Sequence, residues 1–401
     1  MRIIQTTFGV FHHFELAREL LYRGHLERIY STFPWRRLKR EGIPKDRVRT
    51  FPWVHTPEML SRRAHFEPAW LINAIGYANA LTFDRFVTHQ LQNERKPDAL
   101  IALSGSSLQA GQQVQSHGGV FICDRGSSHQ RFQETILQEE HCRWPVPKPQ
   151  SDERDTLREE EIYARADAIT VPSSFAARSF LAMGIPEKKV HIIPYGVRLE
   201  QFTKTSAAPA GSFEVLFAGG VGLRKGFPYL LQAFAALRHP GKRLRVAGTI
   251  QNEIKGLLSQ LPQADVEYLG SVSQSRLIDL MNLSHVMVLP SIEEGLALVQ
   301  GQALACGCPV IASTNTGAGD LFTDGVEGFI VPIRDPEALT ERMQRLADNP
   351  SLQQQMSEAA LQRVRHLGGW GDYGDRWEQL LHDLTGTHPQ RNEQLRDDLL
   401  P

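Results

Sequence analysis

Cysteine is scarce. Cys123, Cys142, Cys306 and Cys308 are the four in 401 residues, and their irregular spacing excludes a disulfide framework, so they read as reduced thiols. Cys306 and Cys308, one glycine apart, would suit half of a metal site, but no second pair follows at zinc-finger spacing, and packing is the alternative. An excess of charge of one sign is missing as well. Forty-four basic against forty-five acidic residues leave a formal net charge of -1, so nothing global steers the chain to nucleic acid or an anionic membrane. Long apolar runs are absent too. The opening MRIIQTTFGV has no secretory apolar core, and apolar stretches elsewhere stop well short of a spanning helix, which sets the expectation of a cytoplasmic protein.

What is present is length and rhythm. A chain of 401 residues exceeds what one hydrophobic core usually serves, so two domains are expected. Strand-like runs RIIQTT, ALIALS, VFICD, AITVPS and HIIPYG alternate with helical stretches up to residue 202. The small, polar, proline-bearing TKTSAAPAGS that follows reads as a linker. The rhythm restarts with EVLFAG, RLRVAG, VEYLG, HVMVLPS, PVIAS and GFIVP. This predicts an α/β fold of two Rossmann-like doubly wound domains facing a cleft, the first over 1–202 and the second over 203–370. A helix near 370–386 is expected to pack back on the first domain, and a polar tail, 387–401, to fray. Ligands of such sheets sit beyond the carboxyl ends of the strands, so the loops after strands are where chemistry belongs.

One segment departs from this rhythm. FPWRRLKREGIPKDRVRTFPW (33–53) holds seven basic residues against two acidic between Phe-Pro-Trp ends, which suits either a solvated loop or contact with anionic lipid or a phosphorylated acceptor.

Two loops carry chemistry. GGVGLRKG (219–226) follows a strand and precedes a helix beginning near Phe227. Its spacing, GxGxxxG, is not the dinucleotide fingerprint, and the next strand ends without the acidic residue that a ribose requires, which disfavours a nicotinamide dehydrogenase. Arg224 and Lys225 at a helix entrance suit a diphosphate instead, because glycines admit the backbone closely and the helix dipole favours an anion. In EEGLALVQGQALACGCPVIAS, Gly295 permits a tight turn and Leu296 is expected to open a helix, whose free N–H groups at Leu296, Ala297 and Leu298 would point at an anion. Gln302 lies eight residues beyond Glu294, roughly 12 Å along a helix, which matches the span from a sugar to a ribose.

With those residues in view, the chain resembles retaining glycosyltransferases of family 4, the glycosyl transferases group 1 with the two-domain GT-B fold. Their signature is E-x7-E followed by small residues, glycine and Pro-Val. LFAGGVGLRKGFPYLLQAF, YGVRLEQF, NTGAGDLFTDGVEGFIVPIRDPEAL and CDRGSSHQRFQETILQEEH also look like segments of that family. The resemblance implies transfer of a sugar from a nucleotide-diphosphate sugar to an acceptor hydroxyl, with retention of configuration and without metal or a separate cofactor. The acceptor would be a glycan, a lipid-linked or a small molecule. The leaving phosphate oxygen would deprotonate the acceptor hydroxyl on the same face. It further implies that Glu294 holds donor-sugar hydroxyls, that Arg224 and Lys225 hold the diphosphate, and that the backbone at Gly270, Ser271 and Val272 meets the base. Gly9 would let the loop after the first strand approach the donor, and His129 would lie at the reacting centre. Gln302 stands where the family's second glutamate binds the ribose, and Gly220 where many members carry an arginine. Two other functions compete: a sugar-nucleotide epimerase of the same fold, which needs several acids and bases at the donor carbon, and a non-catalytic nucleotide-sugar-binding protein.

Overall fold

A computed structural model describes residues 1–57, 59, 69–147, 152–197 and 200–386. The polar tail expected at 387–401 lies outside the described residues. The first sheet comprises β1 (Ile3–Thr7), β2 (Leu26–Ser31), β3 (Val48–Thr50), β4 (Ala99–Leu103), β5 (Val120–Asp124), β6 (Ala168–Val171) and β7 (Val190–Ile192). Its order is β3-β2-β1-β4-β5-β6-β7, and every pairing is parallel. The second comprises β8 (Phe213–Ala218), β9 (Lys242–Ala247), β10 (Val266–Gly270), β11 (Val286–Leu289), β12 (Val310–Ser313) and β13 (Gly328–Val331), in the order β10-β9-β8-β11-β12-β13, again all parallel. These are the two Rossmann-like domains. FEVLFA, VMVL and VIAS are buried at every position, as strands covered by helices on both faces must be.

Strand order reverses between β1 and β4 in the first sheet and between β8 and β11 in the second. A crevice opens at each reversal because the following helices leave on opposite faces. The loops after β1, β8 and β11 therefore converge on the cleft, and they carry Gly9, Lys225 and Glu294.

Helix Trp370–Thr385 crosses back from the second domain to lie on helix Phe11–Tyr22 of the first. Tyr373 and Trp377 are buried there, and Arg23 pairs with Asp375 at 2.5 Å while His25 meets Glu378 at 2.7 Å. Arg334 pairs with Glu139 at 2.8 Å and also meets Glu140, and Tyr229 donates to Glu140 at 2.9 Å, tying helix Gln130–Arg143 of the first domain to the second. No helix among the described residues is long and apolar enough to cross a membrane.

Candidate active site

One glycine lets the donor-side loops press together. Gly226 takes a left-handed φ of 64° at the entrance of helix Phe227–Ala236, and a Cβ there would lie 1.9 Å from the Pro290 carbonyl oxygen, so no other residue fits. The Ile292 N–H donates to the Arg224 carbonyl at 2.8 Å across the same seam. This approach brings Lys225 against Glu294, whose carboxylate accepts from the ammonium. Arg224 lies alongside, its Nε 2.9 Å from Glu293 Oε2 and its Nη2 3.8 Å from Glu294 Oε1. Lys225, Arg224 and Glu294, named separately from sequence, thus form one cluster at the carboxyl ends of β8 and β11.

The segment after Glu294 differs from the sequence expectation. The helix runs Leu298–Ala305, so it opens at Leu298 rather than Leu296, and the Ala297 N–H donates to the Thr316 carbonyl at 3.2 Å instead of facing the cleft. Ala297 is thereby removed from the expected row of free donors. Gly295 is not a turn glycine either: its φ lies outside the left-handed region, and a Cβ would lie 2.0 Å from the Gly126 carbonyl oxygen of the first domain. Glycine is required here by the approach of the two domains. The buried glutamine of this helix is Gln300, which donates to the carbonyls of Ala297 and Thr316 at 3.2 and 3.0 Å, whereas Gln302 is half-buried. Because residues 294–297 are not helical, the span from Glu294 to Gln302 is not the helical one assumed from sequence.

Gly270 ends β10 with a left-handed φ of 65°, which explains glycine there. Ser271 beside it is exposed and Val272 half-buried. Gly9 lies in the loop after β1, where its N–H donates to Thr7 Oγ1 at 3.1 Å, and a Cβ would meet nothing within 4 Å.

His129 is a correction. The DRGSSH loop does reach the cleft, but through Gly126, Ser127 and Ser128. The His129 backbone N–H donates to Ser179 Oγ at 2.8 Å, and the ring turns inward, 4.9 Å from Tyr163 and 5.1 Å from Phe180. Burial, against the opposing pull of Glu160 and with Arg125 and Arg131 nearby, lowers its pKa to about 4. It is a buried core histidine packed against aromatic rings.

The polar group actually standing at the carboxyl end of β5 is Asp124. One of its oxygens lies 3.0 Å from His12 Nε2 and 3.3 Å from His13 Nε2, and the other accepts from Thr170 Oγ1 at 2.9 Å. All three side chains are buried. Burial and the neighbouring His12, outweighing Asp124, lower the His13 pKa to about 4. The three ligand atoms are close enough to hold a cation; His12 Nε2 hydrogen-bonds the carboxylate, while His13 Nε2 stands beside the same oxygen as a close polar contact. His12 stacks on Tyr195 with ring centres 4.4 Å apart, beneath Gly126. Two histidines opening the first helix and an aspartate ending a strand were the available signal; both sit where strand ends put ligands.

Glu293 is the other residue missed. Burial would push its pKa up, but Arg224 and hydrogen bonds from Ser127, Gln133 and Ser128 lower it to about 2, so it is ionised inside the interface.

Residues 200–363 match the family described as Glycosyl transferases group 1, and residues 13–196 match the Glycosyl transferase 4-like domain. A D-inositol 3-phosphate glycosyltransferase of Xylanimonas cellulosilytica is 27% identical over 267 residues, which cover 61% of this chain and 63% of that protein. The match thus spans less than two thirds of that relative's length. Among solved structures, sucrose-phosphate synthase from Thermosynechococcus elongatus superposes with a TM-score of 0.71 at 19% identity over 97% of this chain and 100% of the other. HepE of Anabaena, solved in complex with UDP-glucose, gives 0.66 at 15% identity over 96% and 100%. Two matched halves, two parallel sheets of this order and an Arg-Lys pair set against a glutamate across the cleft loops agree: the chain belongs to the group 1 glycosyltransferases of family 4 type, with the GT-B fold.

Proposed function

We propose that this protein transfers a sugar from a nucleotide-diphosphate sugar to an acceptor hydroxyl, with retention of configuration and without metal or a separate cofactor. The observation that carries the reading is the convergence of Lys225, Arg224 and Glu294 at the strand-order reversal of the second sheet. Transfer leaves an oxocarbenium-like donor carbon and collects negative charge on the departing diphosphate. Lys225 and Arg224 meet that charge, and the entrance of helix Leu298–Ala305 adds N–H groups at Leu296 and Leu298. Glu294, released from Lys225 when the diphosphate arrives, accepts hydroxyls of the donor sugar. Gln302 serves the ribose, and the backbone at Gly270, Ser271 and Val272 the base. Gly9 lets the loop after β1 come close to the donor.

The donor-binding relative HepE supports a uridine nucleotide as the first probe. Titration of the protein with UDP and GDP, followed by mass analysis of mixtures of UDP-sugars with candidate acceptors, tests the reading. Hydrolysis or epimerisation of the donor without transfer would refute it. Activity should persist in a strong chelator; a loss restored by magnesium or manganese would refute metal independence.

The basic segment 33–53 gives this reading its acceptor side. Arg36, Lys39, Arg40 and Lys45 are exposed and Trp53 is 75% exposed, a composition that suits a lipid-linked acceptor at an anionic surface. Co-sedimentation with vesicles containing anionic lipid should exceed that with neutral vesicles and fall with salt.

A further inference from the structure

Glu293 has no task in the donor site just described, yet its carboxylate is fully buried. Its Oε1 accepts from Ser127 Oγ at 2.6 Å, the Ser128 N–H at 3.2 Å and Ser128 Oγ at 2.8 Å. Its Oε2 accepts from Gln133 Nε2 at 2.7 Å and Arg224 Nε at 2.9 Å. Every donor except Arg224 belongs to the first domain. We propose that Glu293 is a positioning residue that locks the 125–128 loop of the first domain onto the donor half, so that Arg224 and the acceptor-side loop reach their working places together. This rests on the function proposed above, since it assigns what holds the two halves of that site together.

The chemistry of the partners favours a carboxylate at this position. All five groups donate, and an ionised carboxylate is the side chain that only accepts. An amide in the same place would turn an NH2 toward either the Ser128 N–H or the Arg224 guanidinium, two groups that donate and cannot accept. Such a carboxylate is costly to bury unless donors surround it, so it resists the cleft being half closed. Sharing of Oε2 between Gln133 and Arg224 couples the two sides: a loop that withdraws takes with it part of what orients the guanidinium. Adjacent contacts run the same way across the seam. Ser173 Oγ donates to the Gly295 carbonyl at 2.5 Å, and the Ser174 N–H and hydroxyl donate to Asp320 at 2.9 and 3.0 Å. Glu293 differs from these in touching a candidate diphosphate ligand.

The test uses the full chain with Glu293→Gln, and separately Ser127→Ala with Ser128→Ala, which leaves Arg224 untouched. Turnover should fall at least about tenfold in both, while the Kd for UDP or GDP stays within about threefold, because closure affects the chemical step more than nucleotide capture. The combined variant should lose no more than Glu293→Gln alone, as residues of one unit do. Small-angle X-ray scattering without ligand should give a larger radius of gyration for each variant than for the parent. Unchanged turnover, additive losses, a nucleotide Kd that weakens in step with turnover, or an unchanged radius of gyration would each overturn the proposal. If Glu293→Gln does not fold, the serine variant decides alone by the same criteria. A parent protein that bound no nucleoside diphosphate would overturn the donor reading instead, and the scattering comparison would still decide the latch.

Discussion

Replacing Gly295 by alanine puts the interdomain contact under direct strain. The added methyl would lie 2.0 Å from the Gly126 carbonyl oxygen, 2.8 Å from its carbon and 3.0 Å from Ser127 Cα, all backbone atoms that cannot swing aside. Close C···O contacts run to about 3.3 Å, so the two loops must separate by about 1 Å or more. The bonds to Glu293 Oε1 now span 2.6 to 3.2 Å, and a displacement of that size carries them beyond hydrogen-bond length. Misplacement of reacting groups by about 1 Å costs on the order of a hundredfold in rate, equivalent to about 2.7 kcal/mol of barrier. Folding should be spared, because each sheet keeps one cluster packed almost wholly from its own domain and the strain is relieved by opening the cleft. The assay is steady-state kinetics with the donor that binds, paired with thermal unfolding and X-ray scattering. A turnover number fallen by about a hundredfold, a midpoint within a few degrees of the parent and a larger radius of gyration are expected. Full turnover with unchanged dimensions would show that the two loops do not meet in the working enzyme.

Lys225→Ala should remove at least about 2 kcal/mol of transition-state stabilisation, since nothing replaces the ammonium facing the diphosphate; unchanged kcat and nucleotide Kd would take Lys225 out of the site. Gln302→Glu should tighten nucleotide-sugar binding by up to about tenfold, because hydrogen bonds to a charged acceptor are stronger, while Gln302→Ala should weaken it. Calorimetry that found both indistinguishable from the parent would make Gln302 a packing residue. Burial lowers the pKa of His129 and of His13 to about 4 from an ordinary value of 6.5. The unfolded chain therefore takes up these protons first, so stability is full above about pH 6.5 and declines as pH falls toward 4. Denaturant unfolding at pH 7.5 and pH 5 should show the decline, and His129→Phe should reduce it; an equal decline in both proteins would contradict the core placement of this ring.

What the sequence disclosed and what it hid divide along a physical line. The alternation of apolar strands with helices is local, and parallel strands buried on both faces announce themselves as continuous runs such as FEVLFA, so both sheets were legible. The strand-end positions of Lys225 and Glu294 were legible too, because each sits in a loop whose glycines and neighbouring helix carry the signal within a few residues. Glu293 was not. It shares its chemistry with Glu294 and differs by one position, yet in a non-helical segment the two side chains part, one to Lys225 and one to Ser127, Ser128 and Gln133. Gly295 looked like a turn residue because local reasoning offers turns as the reason for glycine; its actual constraint is a carbonyl in the other domain. His129 misled for the same cause: the direction of its ring depends on Tyr163 and Phe180, which helices Glu153–Arg165 and Ser174–Ala182 bring in from later in the chain. Asp124 acquires meaning only when β1 and β5 are known to flank β4, which sets it beside His12 and His13. Each half of this site is thus specified by the other half. Serines in one domain make chemical sense only opposite a carboxylate in the second, and a bare glycine only opposite a backbone carbonyl, so the residues governing closure are those whose reasons lie farthest from them in sequence.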